Sequence, residues 1–240
     1  MRRALPLLAI SAMGLGGCHL LERNHDSGPR ATRDYKVGAF TKLEVGGSYD
    51  VEVRTGSAPS VHAEGGQNRL DKMEVRVDGD TLHISTQKGI HWSWNSVGNG
   101  KVKLIVTVPA LSGAEIAGSG DIRVDRVTGP LFKGGVAGSG DLKLAQVDAQ
   151  EVNLEIAGSG SVSAAGKANS VKYEIAGSGD IAADQLVAQT ATISITGSGG
   201  IHAHATGTAR VEVIGSGDII LTGGAKCDIS KTGSGDIRCS

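Results

Sequence analysis

Residues 138–160 read GSGDLKLAQVDAQEVNLEIAGSG, one complete repeat bounded by two Gly-Ser-Gly triplets. The triplet occurs seven times, beginning at Gly118, Gly138, Gly158, Gly177, Gly197, Gly215 and Gly233. Successive copies are 20, 20, 19, 20, 18 and 18 residues apart. A period that stays near twenty residues is typical of a solenoid, in which each repeat forms one coil and stacks on its neighbours.

Apolar and polar residues alternate within each repeat. Val152, Leu154 and Ile156 are separated by Asn153 and Glu155, which is the period of a β-strand and not of a helix. Glycine suits a sharp corner because it adopts positive φ without a Cβ clash. The sequence therefore predicts an all-β fold, a single-stranded parallel β-helix with about 18–20 residues per coil. We expect two or three short strands in each coil and a corner at each triplet.

The region before the repeats, residues 36–110, is rich in β-forming residues but has no visible period. Candidate strands cover 40–45, 49–54, 60–64, 73–78, 81–86 and 101–108. The segment Gly47-Ser48-Tyr49-Asp50-Val51 resembles a degenerate copy of the later corner. We predict one β-helix domain over 36–240, with irregular coils and an N-terminal cap over 36–110 and regular repeats over 111–240.

Aspartate follows the triplet in five copies, at Asp121, Asp141, Asp180, Asp218 and Asp236. Stacked coils would place these carboxylates in a column. They could accept backbone hydrogen bonds at the corners, as Asx turns do, or together bind a divalent cation such as Ca²⁺. Two copies have Ser161 or Gly200 instead, and a Ca²⁺ site needs six or more oxygen ligands. We favour the corner role and predict no metal and no cofactor.

The first 17 residues predict a lipoprotein signal peptide. Two arginines precede an apolar run over 4–15, which is the order of a secretory signal, and the run is too short to span a bilayer. Leu15-Gly16-Gly17-Cys18 resembles the bacterial lipobox, which implies cleavage before Cys18 and lipid on its sulfur. An ordinary secretory signal cleaved nearby is the alternative.

Several acyl chains on Cys18 would anchor the protein firmly to a membrane. His19 follows the cysteine, in place of the aspartate associated with inner-membrane retention. This favours the outer membrane of a Gram-negative bacterium, with the domain facing the periplasm or the cell surface. Residues 18–35 are polar and are expected to form a flexible tether after the lipidated cysteine.

Cys227 and Cys239 are the only other cysteines. An exported chain resides in an oxidising compartment, where disulfides persist. The two cysteines lie six residues before and six residues after Gly233, at inward positions of the last coil. We predict a disulfide that pins this coil, with two free buried thiols as the alternative.

His91-Trp92-Ser93-Trp94-Asn95 contains both tryptophans of a chain that is only 3% aromatic. Glycines at 89, 98 and 100 predict a loop. Trp92 and Trp94, with His91, could stack on sugar rings or contact another protein. Alternatively the rings fold back over the coil below them.

Composition and motifs exclude several classes of function. Lys and Arg total 24 against 25 Asp and Glu, so no basic patch predicts a nucleic-acid partner. The chain has no Walker loop, no HExxH motif and no Gly-x-Ser-x-Gly elbow. Cleavage of a polysaccharide would need a cluster of acids and bases that breaks the repeat. We therefore predict that the protein is not an enzyme.

Four motifs together resemble a known bacterial family. They are Phe40-Thr41-Lys42-Leu43-Glu44-Val45, Leu104-Ile105-Val106-Thr107-Val108-Pro109-Ala110-Leu111 and the Gly-Ser-Gly-Asp-Ile corners, together with the segment at 47–51. Over residues 37–239 the chain resembles the putative auto-transporter adhesin, head GIN domain family. The resemblance implies an exported or surface-linked β-helical domain. It implies no established activity, so it transfers no functional residue.

These inferences combine into one functional prediction, a non-catalytic lipoprotein of the cell envelope that acts as a binding or adhesion module. Its expected partners are the membrane, through the N-terminal lipid, and a glycan or an envelope protein. A structural or sensing protein of the periplasm is the first alternative. An enzyme that acts on polysaccharide is the second.

Overall fold

Almost all regular structure in this protein is β-strand, as the computed structural model shows for residues 27–87 and 101–240. The first half contains β1 (Arg30–Tyr35), β2 (Lys42–Gly47), β3 (Tyr49–Thr55), β4 (Ser60–Gly66), α1 (Gln67–Leu70), β5 (Met73–Asp78), β6 (Thr81–Thr86) and β7 (Val102–Val108). The second half contains β8 (Gly113–Gly118), β9 (Asp121–Val124), β10 (Val127–Gly138), β11 (Asp141–Gly158), β12 (Ser161–Gly177), β13 (Asp180–Gly197), β14 (Gly200–Gly215), β15 (Asp218–Thr222), β16 (Lys226–Gly233) and β17 (Ile237–Cys239). The all-β prediction is confirmed.

Strand β11 shows how one coil is built. It pairs in parallel with β10 on one side and with β12 on the other, so Gly134, Leu154 and Tyr173 lie side by side. Its buried residues form three groups, one for each face of the coil: Leu142 and Leu144, then Val147 and Ala149, then Val152, Leu154 and Ile156. The predicted parallel β-helix is therefore confirmed, with three short strand segments in each coil.

The Gly-Ser-Gly corners stack directly on one another. Gly158 and Gly177 have φ of 137° and 134°, values that strongly favour glycine. The Ser178 backbone N–H donates a hydrogen bond to the Gly158 carbonyl oxygen over 2.8 Å. A Cβ on Gly177 would collide with that same carbonyl oxygen. The corner needs glycine both for its backbone conformation and for the close approach of the next coil.

The interior is a stack of side-chain ladders. One ladder contains Ala114, Gly134, Leu154, Tyr173, Ile193 and Val211. Gly134 is small because the ring of the buried Phe132 and the side chains of Leu142 and Leu154 occupy the space beside it. Tyr173 is fully buried and its hydroxyl has no hydrogen-bond partner, and this burial raises the pKa of the hydroxyl. The ring therefore acts as a large apolar residue.

The N-terminal coils are not stacked in the order of the chain. Strand β2 pairs in parallel with β8 on one side and β6 on the other, while β3 pairs with β9 and β7. The chain therefore leaves the solenoid after β3 and returns as β6 and β7 on the outer side of the first coil. Gly47 has φ of 118° and lies in register with Gly118, so the predicted degenerate corner is confirmed.

The outermost coil is covered by antiparallel strands, which a wholly parallel helix would not contain. Strand β5 pairs antiparallel with β6 through the turn at Asp78-Gly79-Asp80, and β4 pairs antiparallel with β7 and β1. An Asp-Gly sequence favours such a hairpin because its glycine adopts positive φ, here 59°. These strands occupy edges that would otherwise be open to aggregation.

The predicted tether over 18–35 is wrong in its last part, because Arg30–Tyr35 forms β1. Ala31 and Tyr35 pack against the core at alternate positions. The Arg33 guanidinium donates hydrogen bonds to the Leu70 carbonyl oxygen over 2.8 Å and to Asp71 Oδ1 over 2.6 Å. The polar composition of the segment conceals the strand, since its backbone pairing with β4 needs no apolar run.

Cys227 and Cys239 form a disulfide between β16 and β17, with the two Cα atoms 6.7 Å apart. The predicted pairing is confirmed. Both cysteines are half-buried, because no further strand lies beside β16 and β17 on their outer side among the described residues. The disulfide therefore closes the last described coil. Within residues 27–87 and 101–240, no helix has the length and hydrophobicity needed to cross a bilayer.

Reduction of this disulfide is expected to lower the stability of the last coil by about 3 kcal/mol, the value of the chain-entropy model for a loop of this size. The thermal midpoint of the oxidised protein should fall when a reductant is added. The matched control is the double variant Cys227→Ser and Cys239→Ser, whose midpoint should already be low and should not respond to reductant. An identical midpoint with and without reductant would contradict the role of the bond.

Candidate binding surface

The broadest regular surface of the protein, here called the ladder face, consists of the outward residues of β2, β8, β10 to β14 and β16 that precede the corners. An acidic column contains Glu44, Glu115, Gly135, Glu155, Glu174, Ser194 and Glu212. A basic column contains Lys42, Gly113, Lys133, Asn153, Lys172, Thr192 and Arg210. A column of mostly small residues contains Gly46, Ala117, Ala137, Ala157, Ala176, Thr196 and Ile214.

The strand period and the stacking of coils together produce these columns. Alternate residues of a strand point outward, and hydrogen-bonded strands lie about 4.8 Å apart. A residue three positions before the triplet therefore repeats once per coil in the acidic column. The fifth position before the triplet repeats in the basic column. The result is a flat array with a fixed spacing between charges of both signs.

Ion pairs join the two charged columns only in part. Lys172 Nζ lies 2.8 Å from Glu174 Oε2, and this carboxylate raises the pKa of Lys172. Lys42 is paired away from the face, with Asp80 at 3.0 Å. Exposed ion pairs contribute little to stability, so the array matters more for the charge pattern that it presents than for the fold.

A shallow open groove lies in the N-terminal half of the ladder face, where Gly135 interrupts the acidic column. Its lining includes Glu115, Lys133, Glu155 and Lys172. Asn153 also lines the groove, and its Oδ1 atom is buried without a hydrogen-bond partner. The groove thus presents carboxylates and ammonium groups to a ligand, whereas the buried Asn153 Oδ1 atom is not accessible from it.

The described aromatic rings do not lie on this face. Phe40, Tyr49, Phe132 and Tyr173 are buried, and Tyr35 is half-buried. Sugars bind proteins largely by stacking on exposed rings and by hydrogen bonds. Among residues 27–87 and 101–240, the ladder face therefore supplies polar contacts but no stacking ring.

Trp92, Trp94 and His91 lie outside the described residues. Their position along the chain is nevertheless defined by the strands on either side. Strand β6 ends at Thr86 and β7 begins at Val102, and these strands flank the coil that turns at Gly47. Within β6, Thr81 extends the basic column beyond Lys42 and His83 extends the acidic column beyond Glu44. Strand β6, which precedes the tryptophan segment in the sequence, thus forms the outer edge of the ladder face.

The carboxylates of the predicted aspartate column bind neighbouring coils. The Gly200 and Asp236 backbone N–H groups donate hydrogen bonds to Asp180 Oδ1 and Asp218 Oδ1 over 2.9 and 2.8 Å. The Ser161 hydroxyl donates to Asp141 Oδ1 over 2.6 Å. These are the corner hydrogen bonds that the sequence favours, although they join one coil to the next instead of closing a single turn.

The column is longer at its N-terminal end than the repeats indicate. Asp50 lies in register with Asp121, and Lys101 Nζ lies 3.2 Å from Asp50. Asp50 lies within the degenerate corner at 47–51, so the sequence of that corner indicates the additional aspartate of the column. Among the described residues, no group of three or more His, Cys, Asp or Glu side chains is placed to hold a metal ion. Cys18, the predicted lipid acceptor, lies outside the described residues.

These features define the structural class of the protein as a parallel β-solenoid with a charged and repetitive face. The sequence profile of the family described as "Putative auto-transporter adhesin, head GIN domain" matches residues 39–225. The chain belongs to this family. No curated protein matches it.

Solved structures of other bacterial proteins share this fold. A protein of Bacteroides fragilis described as a putative adhesin is 27% identical, with a TM-score of 0.76 over 87% of this chain and 96% of its own. A protein of Parabacteroides distasonis described as a putative lipid binding protein is 25% identical, with a TM-score of 0.70 over 88% of this chain and 97% of its own. The β-solenoid is thus shared over nearly the whole length of both proteins.

Proposed function

We propose that this protein is a non-catalytic binding module that attaches its cell to a glycan or to a protein, and that lipid on Cys18 holds it at the outer membrane. The observation that carries this proposal is the ladder face, whose outer strand β6 is followed in the sequence by the segment that contains both tryptophans. Family membership and the likeness to the Bacteroides fragilis protein support an adhesion-type role.

The rigidity of the solenoid favours binding through the ladder face. Each coil is held by parallel hydrogen bonds and by buried ladders on three faces, so the backbone that carries the outward columns is ordered before any ligand arrives. Ordering of side chains and loops is a main cost of association. A surface that is already ordered avoids much of this cost and can repeat one weak contact along several coils.

The tryptophans are the proposed stacking contacts for a sugar. Stacking on an indole ring complements the polar contacts available at the ladder face, which has no exposed ring among the described residues. Under this proposal one ligand contacts both a tryptophan, Trp92 or Trp94, and the N-terminal end of the charged columns. Hot spots of this kind are enriched in tryptophan.

Replacement of Trp92 and Trp94 by alanine is expected to abolish binding to a panel of immobilised glycans and to leave the thermal midpoint unchanged. The full chain carrying Cys18→Ser, which removes the proposed lipid acceptor, is the reference protein. Binding is measured on the panel, and stability is measured by circular dichroism on the same samples.

Lys133→Glu tests the ladder face separately, since Lys133 lies in the groove of that face and is distant in sequence from the tryptophans. Loss of binding in both variants would indicate one continuous site. A lower midpoint in the tryptophan variant, together with no glycan binding by the reference protein, would contradict the proposal and make the rings part of the core.

A further inference from the structure

In one inward ladder, the residue type changes from aliphatic to charged at the last described coil. The residue two positions before each triplet is aliphatic in six successive coils, and it is lysine in the seventh. The members are Ile116, Val136, Ile156, Ile175, Ile195, Val213 and Lys231. Val213 is fully buried, and Lys231 lies directly in register with it. A charged and exposed residue thus occupies the ladder position that is aliphatic and buried in the coil before it.

The Lys231 side chain is exposed and reaches over the corner of its own coil. Its ammonium group donates a hydrogen bond to the Gly235 carbonyl oxygen over 2.8 Å, on the other side of the corner. The neighbouring ladder member Ile229 is 45% exposed, whereas its counterpart Val211 is 1% exposed. The apolar stem of Lys231 therefore covers part of an otherwise open end.

The edge beside this end has the chemistry to accept one more coil of the same repeat. Among the described residues, no strand lies on the outer side of β16 or β17, so their outward backbone groups are unpaired. Every earlier coil is covered by a coil with the same ladder pattern. The opposite end is covered by the antiparallel strands β1, β4 and β5, so a second copy would have to approach with its own open end.

Such an approach would bring two β16 strands together as an antiparallel pair. A pairing centred on Cys227 would place Lys226 of each copy opposite Asp228 of the other. The same pairing would place Ile229 of each copy opposite Ala225 of the other. Both the charged and the apolar residues of the strand are therefore complementary to a second copy of the strand.

We propose that Lys231 keeps this surface from forming a head-to-head dimer. Pairing of two ends would remove both Lys231 ammonium groups from water without an acidic partner, and the burial of an unpaired charge is costly. Inward-pointing charges on edge strands are a known means of preventing edge-to-edge association. The end surface thus has the backbone edge and the residues needed to bind a second copy of this chain. The charge of one side chain, Lys231, prevents that binding.

The test uses the full chain carrying Cys18→Ser and measures molar mass in solution by light scattering over a range of protein concentrations. Lys231→Val, which restores the ladder residue, and Lys231→Met, which keeps an unbranched stem without charge, should both double the molar mass. The reference protein and the control Lys226→Val, which adds the same apolar group on the outward side of β16, should remain monomeric.

A second change tests the proposed register. Lys226→Glu added to Lys231→Val places a carboxylate opposite the Asp228 carboxylate of the other copy, and this repulsion should return the protein to the monomer. Monomeric Lys231→Val and Lys231→Met proteins with an unchanged circular dichroism spectrum would overturn the proposal. A dimeric reference protein, an equal increase of mass in Lys226→Val, or open-ended polymers of the Lys231 variants would overturn it as well.

Discussion

Gly177→Ala is expected to destabilise the protein by at least about 3 kcal/mol, because the corner tolerates neither a Cβ nor another backbone conformation. A residue other than glycine at a φ of 134° is strained by about 1–3 kcal/mol. The added Cβ would also collide with the Gly158 carbonyl oxygen, so the stacked coils would have to separate locally. For a domain of this size the thermal midpoint should fall by about 6–12 °C.

Gly135→Ala is the matched control for this prediction. Gly135 lies in a strand on the ladder face without positive φ, and a Cβ there would lie 3.4 Å from Glu115 Cγ, an ordinary contact. Its midpoint should stay the same or rise slightly, since glycine within a strand costs about 0.5–1 kcal/mol relative to alanine. Equal midpoints for the two variants would show that the corner does not require glycine.

Phe132→Ala is expected to cost about 3–5 kcal/mol, the usual effect of removing a fully buried ring. The ring fills the space left by Gly134 in the first regular coil. The loss should therefore combine lost apolar burial with a cavity between two stacked coils. Chemical denaturation followed by circular dichroism measures the change in the free energy of unfolding.

A double-mutant cycle with Gly134→Ala tests whether the ring and the glycine form one packing unit. Alone, Gly134→Ala should destabilise, because a Cβ would lie 2.7 Å from Leu142 Cδ2 and 2.9 Å from Leu154 Cδ2. In the Phe132→Ala background the two leucines can relax into the vacated space, so the same change should cost less. Strictly additive effects would show that Phe132 does not fill this space.

The regular half of the fold could be predicted because each repeat contains the same apolar–polar alternation and the same glycine triplet. Alternation determines which residues of a strand point inward, and the triplet marks where the chain turns. The Cys227–Cys239 pairing could be predicted for the same reason, since the repeat places both residues on the last coil. The same pattern recurs about every twenty residues, so several repeats independently indicate the same strands and corners.

The N-terminal half could be predicted only as a set of strands. No local sequence pattern indicates that β6 and β7 stack outside β2 and β3. This arrangement depends on pairings between residues such as Leu43 and Leu82, which lie far apart in sequence. The polar composition of residues 30–35 predicts a flexible tether. The segment instead forms a strand, because it pairs with β4 through backbone hydrogen bonds that do not require an apolar pattern. Long-range contacts of this kind leave little trace in composition.

The alternation in the sequence indicates that Glu155 points outward. The acidic and basic columns of the ladder face are visible only when the third and fifth positions before each triplet are compared between repeats. That comparison needs the coil register, which the strand pairing supplies. The roles of Trp92, Trp94 and Cys18 remain predictions from sequence.

The most direct test of the proposed adhesion role is the accessibility of the protein on intact cells, measured with an external protease or a membrane-impermeant amine label. The lysines of the basic column are exposed and should react if the domain faces outward. The proposal predicts labelling of the protein in intact cells while a periplasmic control protein stays unlabelled. Protection until the outer membrane is broken would contradict it and would indicate a structural or sensing role in the periplasm.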